Sequence, residues 1–145
     1  MKLVIQRVKN ASVTVENKIV GEIEKGFLVL VGIKDGDTEQ QADYLVKKLC
    51  NLRVFEDENG KMNLSLKDVK GKMLIVSQFT LYANCNDGNR PSFTEAAKPS
   101  QALPLYEYFC NKCIDNNIEV QKGIFGADMK VQLLNDGPVT IIMEK

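Results

Sequence analysis

Three hydrogen-bonding side chains interrupt an apolar run that otherwise has the composition of a buried strand. The run extends from Met73 to Tyr82 (MLIVSQFTLY), and its polar members are Ser77, Gln78 and Thr80. A buried polar side chain costs about 1 to 3 kcal/mol when it has no partner. Two interpretations are open on these residues alone: a strand end whose polar groups bond to neighbouring main chain, or a pocket in which they meet a ligand.

The hydroxyl groups of Ser77 and Thr80 would act as nucleophiles only beside an activating base. The usual base is missing, because the chain contains no histidine. This removes Ser-His-Asp and Cys-His arrangements, and also the most common zinc ligand. Any chemistry at this motif must therefore proceed without imidazole, and we predict neither a metal site nor a cofactor.

A Gly-Pro pair near the C-terminus is the second unusual feature. Proline cannot donate to a sheet ladder and is confined to a sheet edge or a strand start. The segment NDGPVT therefore favours a turn before a final strand. If the Gly137–Pro138 bond is cis, its carbonyl oxygens point in one direction, and Gly137 has no side chain to shield them. The pair would then be a rigid set of hydrogen-bond acceptors.

Two further clusters have a simpler interpretation. Cys110 and Cys113 have the spacing of a redox or metal half-site, but they lie on the apolar face of a predicted helix, and the chain has no second CxxC. We therefore favour core packing for both. Lys67, Lys70 and Lys72 surround a turn, and a solvated loop is favoured over a phosphate contact.

Composition limits the class of protein. A chain of 145 residues with 44% hydrophobic content can bury one good core, so residues 1–145 are predicted to form a single domain. Nineteen basic and nineteen acidic residues cancel, so any RNA contact should be local. No apolar segment reaches the roughly 18 residues of a membrane span, and four irregularly spaced cysteines do not suit a secreted disulfide framework. We expect a soluble, cytoplasmic protein.

Hydrophobic periodicity predicts a protein built mainly of short strands. Alternating or continuous apolar runs of strand length occur at Lys2 to Val8, Ala11 to Val15, Ile19 to Ile23, Gly26 to Ile33, Met73 to Tyr82, Ile118 to Phe125, Met129 to Leu134 and Pro138 to Lys145. The fourth run is apolar throughout and should be covered on both faces. Asn59-Gly60 predicts a hairpin. Residues Asn84 to Pro99 are rich in Asn, Gly and Pro, which predicts a long loop with a functional role.

Two helices are predicted between the strands. The first begins after Thr38, which can cap the helix while Gln41 reaches back to it. The second spans roughly Ser100 to Asn116, and its predicted apolar face consists of Leu103, Tyr106, Phe109, Cys110 and Cys113. These elements predict an α+β fold: a mostly antiparallel sheet, either covered on one face or partly closed into a barrel, with two main helices.

Four segments of the sequence resemble those of a known family. They are SQFTLYA at 77–83, GNRPSF at 88–93, FGADMKVQL at 125–133 and NDGPVT at 135–140, and they follow an MKLVIQRV start. On the basis of these segments, the sequence resembles the D-aminoacyl-tRNA deacylase family (D-tyrosyl-tRNA(Tyr) deacylases) over its whole length. The resemblance implies a homodimer of small β-barrel-like subunits. It also implies hydrolysis of the ester that joins a D-amino acid, or mischarged glycine, to the terminal adenosine of tRNA.

The resemblance further implies roles for individual residues. Ser77 to Thr80 would form the catalytic pocket that receives the adenosine and the ester. Gly137–Pro138 would be a cis dipeptide that enters the partner's pocket, where its carbonyls hold the α-amino group and leave no room for an L side chain. Phe125 and Met129 would wall the site, and Arg7 would help to orient the Gly-Pro segment.

Two routes to ester cleavage remain for such a site. Attack by the Thr80 hydroxyl lacks a base, because neither Ser77 nor Gln78 is basic. The favoured route uses main-chain N–H groups near Phe79 and Thr80 to stabilise the oxyanion, each worth about 3 to 4 kcal/mol by analogy with known oxyanion holes. The ribose 2′-hydroxyl of the substrate would position or activate water. The polar side chains then serve recognition and scaffolding.

Two functions of other classes remain as alternatives. The first is a non-catalytic RNA-binding module that uses the cluster from Lys67 to Lys72 as its platform. Neutral net charge, six phenylalanines, four tyrosines and no tryptophan argue against it. The second is a hydrolase of small esters with Thr80 as nucleophile, which would act equally well on free amino-acid esters.

Overall fold

The computed structural model describes residues 1–145 as eight strands, two α-helices and one 3₁₀ helix. In chain order they are β1 (Lys2–Val15), β2 (Lys18–Ile23), β3 (Gly26–Gly32), α1 (Glu39–Cys50), β4 (Arg53–Glu56), β5 (Met62–Ser65), β6 (Lys72–Ser77), the 3₁₀ helix (Phe79–Tyr82), α2 (Pro99–Asp115), β7 (Glu119–Lys122) and β8 (Lys130–Glu144). The main sheet has the order β2-β1-β3-β6-β7, and β8 pairs with β1. β4 and β5 form a separate hairpin, as Asn59-Gly60 predicts.

β1 is a single long strand that changes partner midway. Its first half pairs with β3 and its second half with β2, while β8 runs antiparallel to both halves. The two strands predicted at Lys2 to Val8 and Ala11 to Val15 are therefore halves of one strand. β1 thus has three partners, and the sheet to which it belongs is nearly closed into a barrel.

The centre of the sheet is parallel. β6 lies between β3 and β7 and runs parallel to both, whereas the other pairs are antiparallel. A strand in this position is covered on both faces, and Met73, Leu74, Ile75 and Val76 of β6 are all buried. The predicted α+β class, with a partly closed barrel and two helices, is confirmed. The sheet is mixed, because β6 is parallel to both neighbours.

The first helix begins as the sequence predicts. The Gln40 N–H donates to Thr38 Oγ1 over 3.3 Å, and the Thr38 N–H donates to Gln41 Oε1 over 2.9 Å. This is a complete capping box, which satisfies donors that the first turn of a helix leaves free.

The second helix begins at Pro99, one residue before the predicted start. Leu103 is wrongly predicted as part of its buried face, since 42% of this residue is exposed. Leu105 is buried in its place, because the face that contacts the core follows Ala102, Leu105, Phe109 and Cys113. The Tyr106 hydroxyl, also on this face, donates to the carbonyl of Ile75 over 2.8 Å and ties α2 to β6.

Packing of Cys110 and Cys113 in the core is confirmed. Both thiols are free and buried, and desolvation by burial raises the pKa of Cys110 to about 12. In the structure no group of three or more His, Cys, Asp or Glu side chains is placed to hold a metal ion. None of its helices has the length and apolar character needed to cross a membrane.

Two predicted strand boundaries are wrong. The strand predicted from Met73 to Tyr82 ends at Ser77, and the chain then turns into the 3₁₀ helix. The strands predicted at Met129 to Leu134 and Pro138 to Lys145 belong to one strand, β8, so Asn135-Asp136-Gly137 is an irregularity within it and not a turn between strands.

Candidate active site

A cavity of about 600 Å³ opens where β6 ends. It arises because β7 leaves the sheet before β6 does: the last β6–β7 pair is Ile75 with Lys122, and the Gly123 N–H then donates to the Ile75 carbonyl. The chain then leaves the sheet, and its residues Phe125 to Met129 form one wall. The volume is within the range of about 300 to 1,000 Å³ that is typical of small-ligand sites.

The polar motif lies at the mouth of this cavity. Ser77 and Gln78 are half-buried and line it together with Phe79, whereas Thr80 is exposed and lies just beyond the lining. The Gln78 N–H donates to the Val31 carbonyl over 2.8 Å, which continues the β3–β6 pairing by one bond before the chain turns. The motif is thus a strand end that opens into a cavity, and this relieves the burial cost of its polar groups.

Thr80 has no base beside it. Its Oγ1 accepts a hydrogen bond from Nε2 of Gln78. An amide N–H is a donor, so this contact cannot take a proton from the hydroxyl. The main-chain N–H groups of Phe79 and Thr80 lie in the first turn of the 3₁₀ helix, where no earlier helical carbonyl is available to them. No side chain caps this end of the helix.

Aromatic rings form a second part of the cavity wall. Phe79 is 57% exposed, and its ring meets that of Phe93 edge-on, with 5.2 Å between centroids. Phe125 is half-buried and packs at 5.9 Å against Tyr106. Aromatic rings that are exposed on one side and packed on the other provide stacking surfaces for a nucleobase.

The loop predicted at Asn84 to Pro99 contributes directly to the cavity through Phe93, Lys98 and residues between them. It is anchored at Asn84 and Ser92, which exchange two main-chain hydrogen bonds of 2.8 and 2.9 Å. Further along, Lys34 pairs with Glu95 over 2.9 Å. The length and composition of the loop predict that it has a functional role. Phe93 lies in the family-like segment GNRPSF, but no sequence signal assigns Phe93 or Lys98 to the cavity.

Arg7 and the Gly-Pro pair form a separate cluster. The Arg7 guanidinium is the one charged side chain in the core, with 5% of the residue exposed. Its Nε donates to the Asp136 carbonyl over 2.8 Å, and its Nη1 donates to the carbonyl of Val54. Between the pairs Gln6–Thr140 and Val8–Asn135, β1 has only Arg7, whereas β8 has the four residues 136 to 139. β8 therefore bulges outwards opposite Arg7.

The bulge presents Gly137 and Pro138 to solvent. Both are exposed, and the peptide bond between them is cis. The bulge is closed from within by Asn135, whose Oδ1 accepts from the Val139 N–H over 2.7 Å. The hydrogen bonds of Arg7 to Asp136 and of Val139 to Asn135 thus hold the backbone on both sides of the Gly-Pro pair.

The structure brings some of the predicted site residues together and separates others. The cavity is lined by Ser77, Gln78, Phe79, Phe125 and Met129. Arg7, Gly137 and Pro138 are not part of its lining. Asn135 lies about 13 Å further along β8 than the cavity residue Val131, at the usual rise of a strand.

A family model described as D-Tyr-tRNA(Tyr) deacylase matches residues 4–144. The chain belongs to the D-Tyr-tRNA(Tyr) deacylase family. It is 61% identical over 144 residues to the D-aminoacyl-tRNA deacylase of Fusobacterium nucleatum subsp. nucleatum, with 99% of this chain and 95% of that protein covered. It is 58% identical to the D-aminoacyl-tRNA deacylase of Geotalea uraniireducens, with 99% and 93% covered.

Two solved structures share the fold of this family member. One, named c-Myc DNA Unwinding Element Binding Protein, superposes with a TM-score of 0.93 at 42% identity and covers 100% of this chain and 99% of its own. The other is described as a probable eukaryotic D-amino acid tRNA deacylase, with a TM-score of 0.82 at 18% identity over 98% of this chain and 97% of its own. At that identity the second likeness concerns the fold alone.

Proposed function

We propose that the protein is a D-aminoacyl-tRNA deacylase, which hydrolyses the ester between a D-amino acid, or mischarged glycine, and the terminal adenosine of tRNA. The family membership supports this activity. The observation that supports a particular site for this activity is the cavity at the end of β6, which Ser77, Gln78 and Phe79 line together. A cavity of about 600 Å³ with aromatic walls has room for an aminoacylated adenosine.

The chemical step needs a stabilised oxyanion and a placed water. Water adds to the carbonyl carbon of the ester and gives up a proton to the medium; the bond from that carbon to the ribose 3′-oxygen then breaks, and the 3′-oxygen takes up a proton and leaves as a hydroxyl. We infer that the free N–H groups of Phe79 and Thr80 stabilise the oxyanion of the tetrahedral intermediate. The neighbouring 2′-hydroxyl of the substrate would orient or activate the water, because the chain offers no imidazole and Thr80 has no base beside it.

Chiral selection would come from the Gly137–Pro138 segment of a second subunit. Its amide oxygens would hold the α-ammonium of the substrate. With the ammonium and the ester both fixed, exchange of the hydrogen and the side chain on the α-carbon drives an L side chain into main chain. The bulge supports this role, because it is exposed and is held from behind by Arg7 and Asn135. Its distance from the cavity of its own subunit favours donation to a partner.

The free edge of β8 supports a homodimer. β8 is 15 residues long and pairs with β1 alone, so its other edge carries unpaired main-chain groups. Leu134 is 52% exposed and Ile142 is 66% exposed, on either side of the Gly137–Pro138 bulge. A long strand edge of this kind is usually covered, since it otherwise pairs with other chains. A second copy placed here would bring its own bulge near this surface.

A second candidate function is suggested by the name of one structural neighbour, which refers to binding of a DNA element. Nucleic-acid binding without catalysis would use a basic surface, yet the net charge of this chain is zero. Six of its lysine and arginine side chains are also paired with carboxylates. We therefore favour the deacylase.

One assay separates the candidate functions. Purified protein is incubated with D-aminoacyl-tRNA, with L-aminoacyl-tRNA and with the corresponding free amino-acid esters, and released amino acid is measured over time. A deacylase should release amino acid from D-aminoacyl-tRNA faster than from the other substrates. Equal rates on the free esters would indicate a general esterase. Binding of nucleic acid without any release would indicate a binding module.

Removal of the Thr80 hydroxyl should leave most of the activity. We expect Thr80→Ala to reduce kcat by no more than about tenfold, because the hydroxyl is held by Gln78 and is not activated. Single-turnover deacylation of D-aminoacyl-tRNA measures this, and Thr80→Ser is the matched control. A loss of more than about 10³-fold in the alanine variant, with activity kept in the serine variant, would establish Thr80 as the nucleophile.

The substrate's 2′-hydroxyl should be required. A D-aminoacyl-tRNA that ends in 2′-deoxyadenosine, acylated on its 3′-oxygen, should be cleaved about 10²-fold or more slowly, in line with the usual contribution of general acid–base assistance. Binding of the deoxy substrate is measured in parallel, so that a loss of affinity is distinguished from a loss of rate. Undiminished turnover would rule out assistance by the ribose.

Selectivity should depend on the backbone at Gly137. A Cβ at this position would lie 2.7 Å from Cγ2 and 2.9 Å from the main-chain nitrogen of Val139, and Gly137 has a φ of +146°, so Gly137→Ala must displace the segment. We expect the ratio of D- to L-aminoacyl-tRNA cleavage to fall by about tenfold or more. Gly60→Ala is the control, because Gly60 also has a positive φ but a Cβ there would have no other atom within 4 Å. Unchanged selectivity in a folded Gly137→Ala variant would disprove the gate.

A further inference from the structure

The cavity contains one unpaired charge. Among the residues that line it, only Lys98 and Asp128 are charged. Asp128 is already paired, since both its carboxylate oxygens lie within 3.0 Å of Lys130 Nζ. Lys98 takes part in none of the seven ion pairs of the structure and is exposed. Its ammonium is therefore available to an anion that enters the cavity.

The main chain around Lys98 adds few donors. Lys98 immediately precedes α2, whose first residue, Pro99, has no N–H. The N–H groups of Gln101 and Ala102 both donate to the Lys98 carbonyl, over 3.0 and 2.9 Å. The helix start thus contributes little to anion binding beyond its Ser100 N–H. The cationic group on this side of the cavity is the lysine side chain.

The proposed substrate carries two charges of opposite sign. An aminoacylated terminal adenosine has an α-ammonium at one end and the phosphodiester of the preceding nucleotide at its ribose 5′-oxygen. If the substrate entered with its ammonium towards Lys98, two positive charges would face each other. Entry in the other direction places the phosphate beside Lys98 and the ammonium away from it. Like-charge contacts disfavour the wrong direction more than attraction favours the right one.

We propose that Lys98 binds the 5′-phosphate of the terminal adenosine and so sets the direction in which the acceptor end lies in the cavity. This inference rests on the proposed function, and it assigns to this chain a phosphate subsite at the start of α2. The site has one cation, and that cation is exposed, so the contact is modest and sensitive to salt. It acts equally on the bound substrate and the transition state, and it therefore lowers KM and leaves kcat unchanged.

The test uses two minimal substrates, 3′-O-D-aminoacyl-adenosine and the same compound with a 5′-phosphate. We expect wild-type protein to show a KM about three- to fivefold lower for the phosphorylated compound at low salt, and this preference should shrink as sodium chloride is raised. Lys98→Met should remove the preference without changing kcat, and Lys98→Arg should restore it. Lys47→Met, which removes an exposed and unpaired lysine on α1, should retain it.

Two results would overturn the phosphate subsite. One is an equal KM for both compounds in the wild type, and the other is an undiminished preference in Lys98→Met. Calorimetric titration with adenosine and with adenosine 5′-monophosphate gives a second reading that does not need turnover. If neither compound nor D-aminoacyl-tRNA is cleaved, the proposed activity fails. The titrations still decide whether Lys98 contributes to binding the phosphate.

Discussion

The parallel pairing of β6 between β3 and β7 is the constraint on which the rest of this structure depends. β6 is paired on both edges, and its residues Met73 to Val76 are apolar and buried on both faces. β7 ends opposite Ile75 and the β3 pairing ends opposite Ser77, so the last residues of β6 lose one neighbour and then the other. The cavity and the polar motif both result from this staggered ending.

The two functional clusters differ in how they are held. The cavity is bordered by a strand end, a 3₁₀ helix and a loop, and its rings and polar groups are partly open. The Gly-Pro bulge is held from within the core, because the buried guanidinium of Arg7 donates its hydrogen bonds to the carbonyls of Asp136 and Val54. A buried charge is tolerated only when it is well bonded, so this side chain fixes the backbone around it. An exposed segment with a fixed backbone is suited to selection by shape.

Individual residues show which structural features the sequence patterns predict and which they do not. The capping box at Thr38, the apolar β3 and the hairpin at Asn59-Gly60 are predicted correctly, because each depends on neighbours within a few residues. Leu103 is assigned to the wrong face, since a pattern with apolar residues at both 103 and 105 does not say which one meets the core. The strand predicted to reach Tyr82 fails for a similar reason: its apolar continuation suits either a strand or a short helix.

The sequence by itself determined the α+β class, the two helices, the lack of imidazole chemistry and the family motifs, because these depend on composition, local periodicity and residue identity. Only the tertiary structure decided where β6 stops, that β8 bulges opposite Arg7, and that Phe93 and Lys98 reach the cavity of Ser77 and Gln78. These features depend on which strands become neighbours and where each pairing ends. Such contacts join residues far apart in the chain, and no local pattern specifies them.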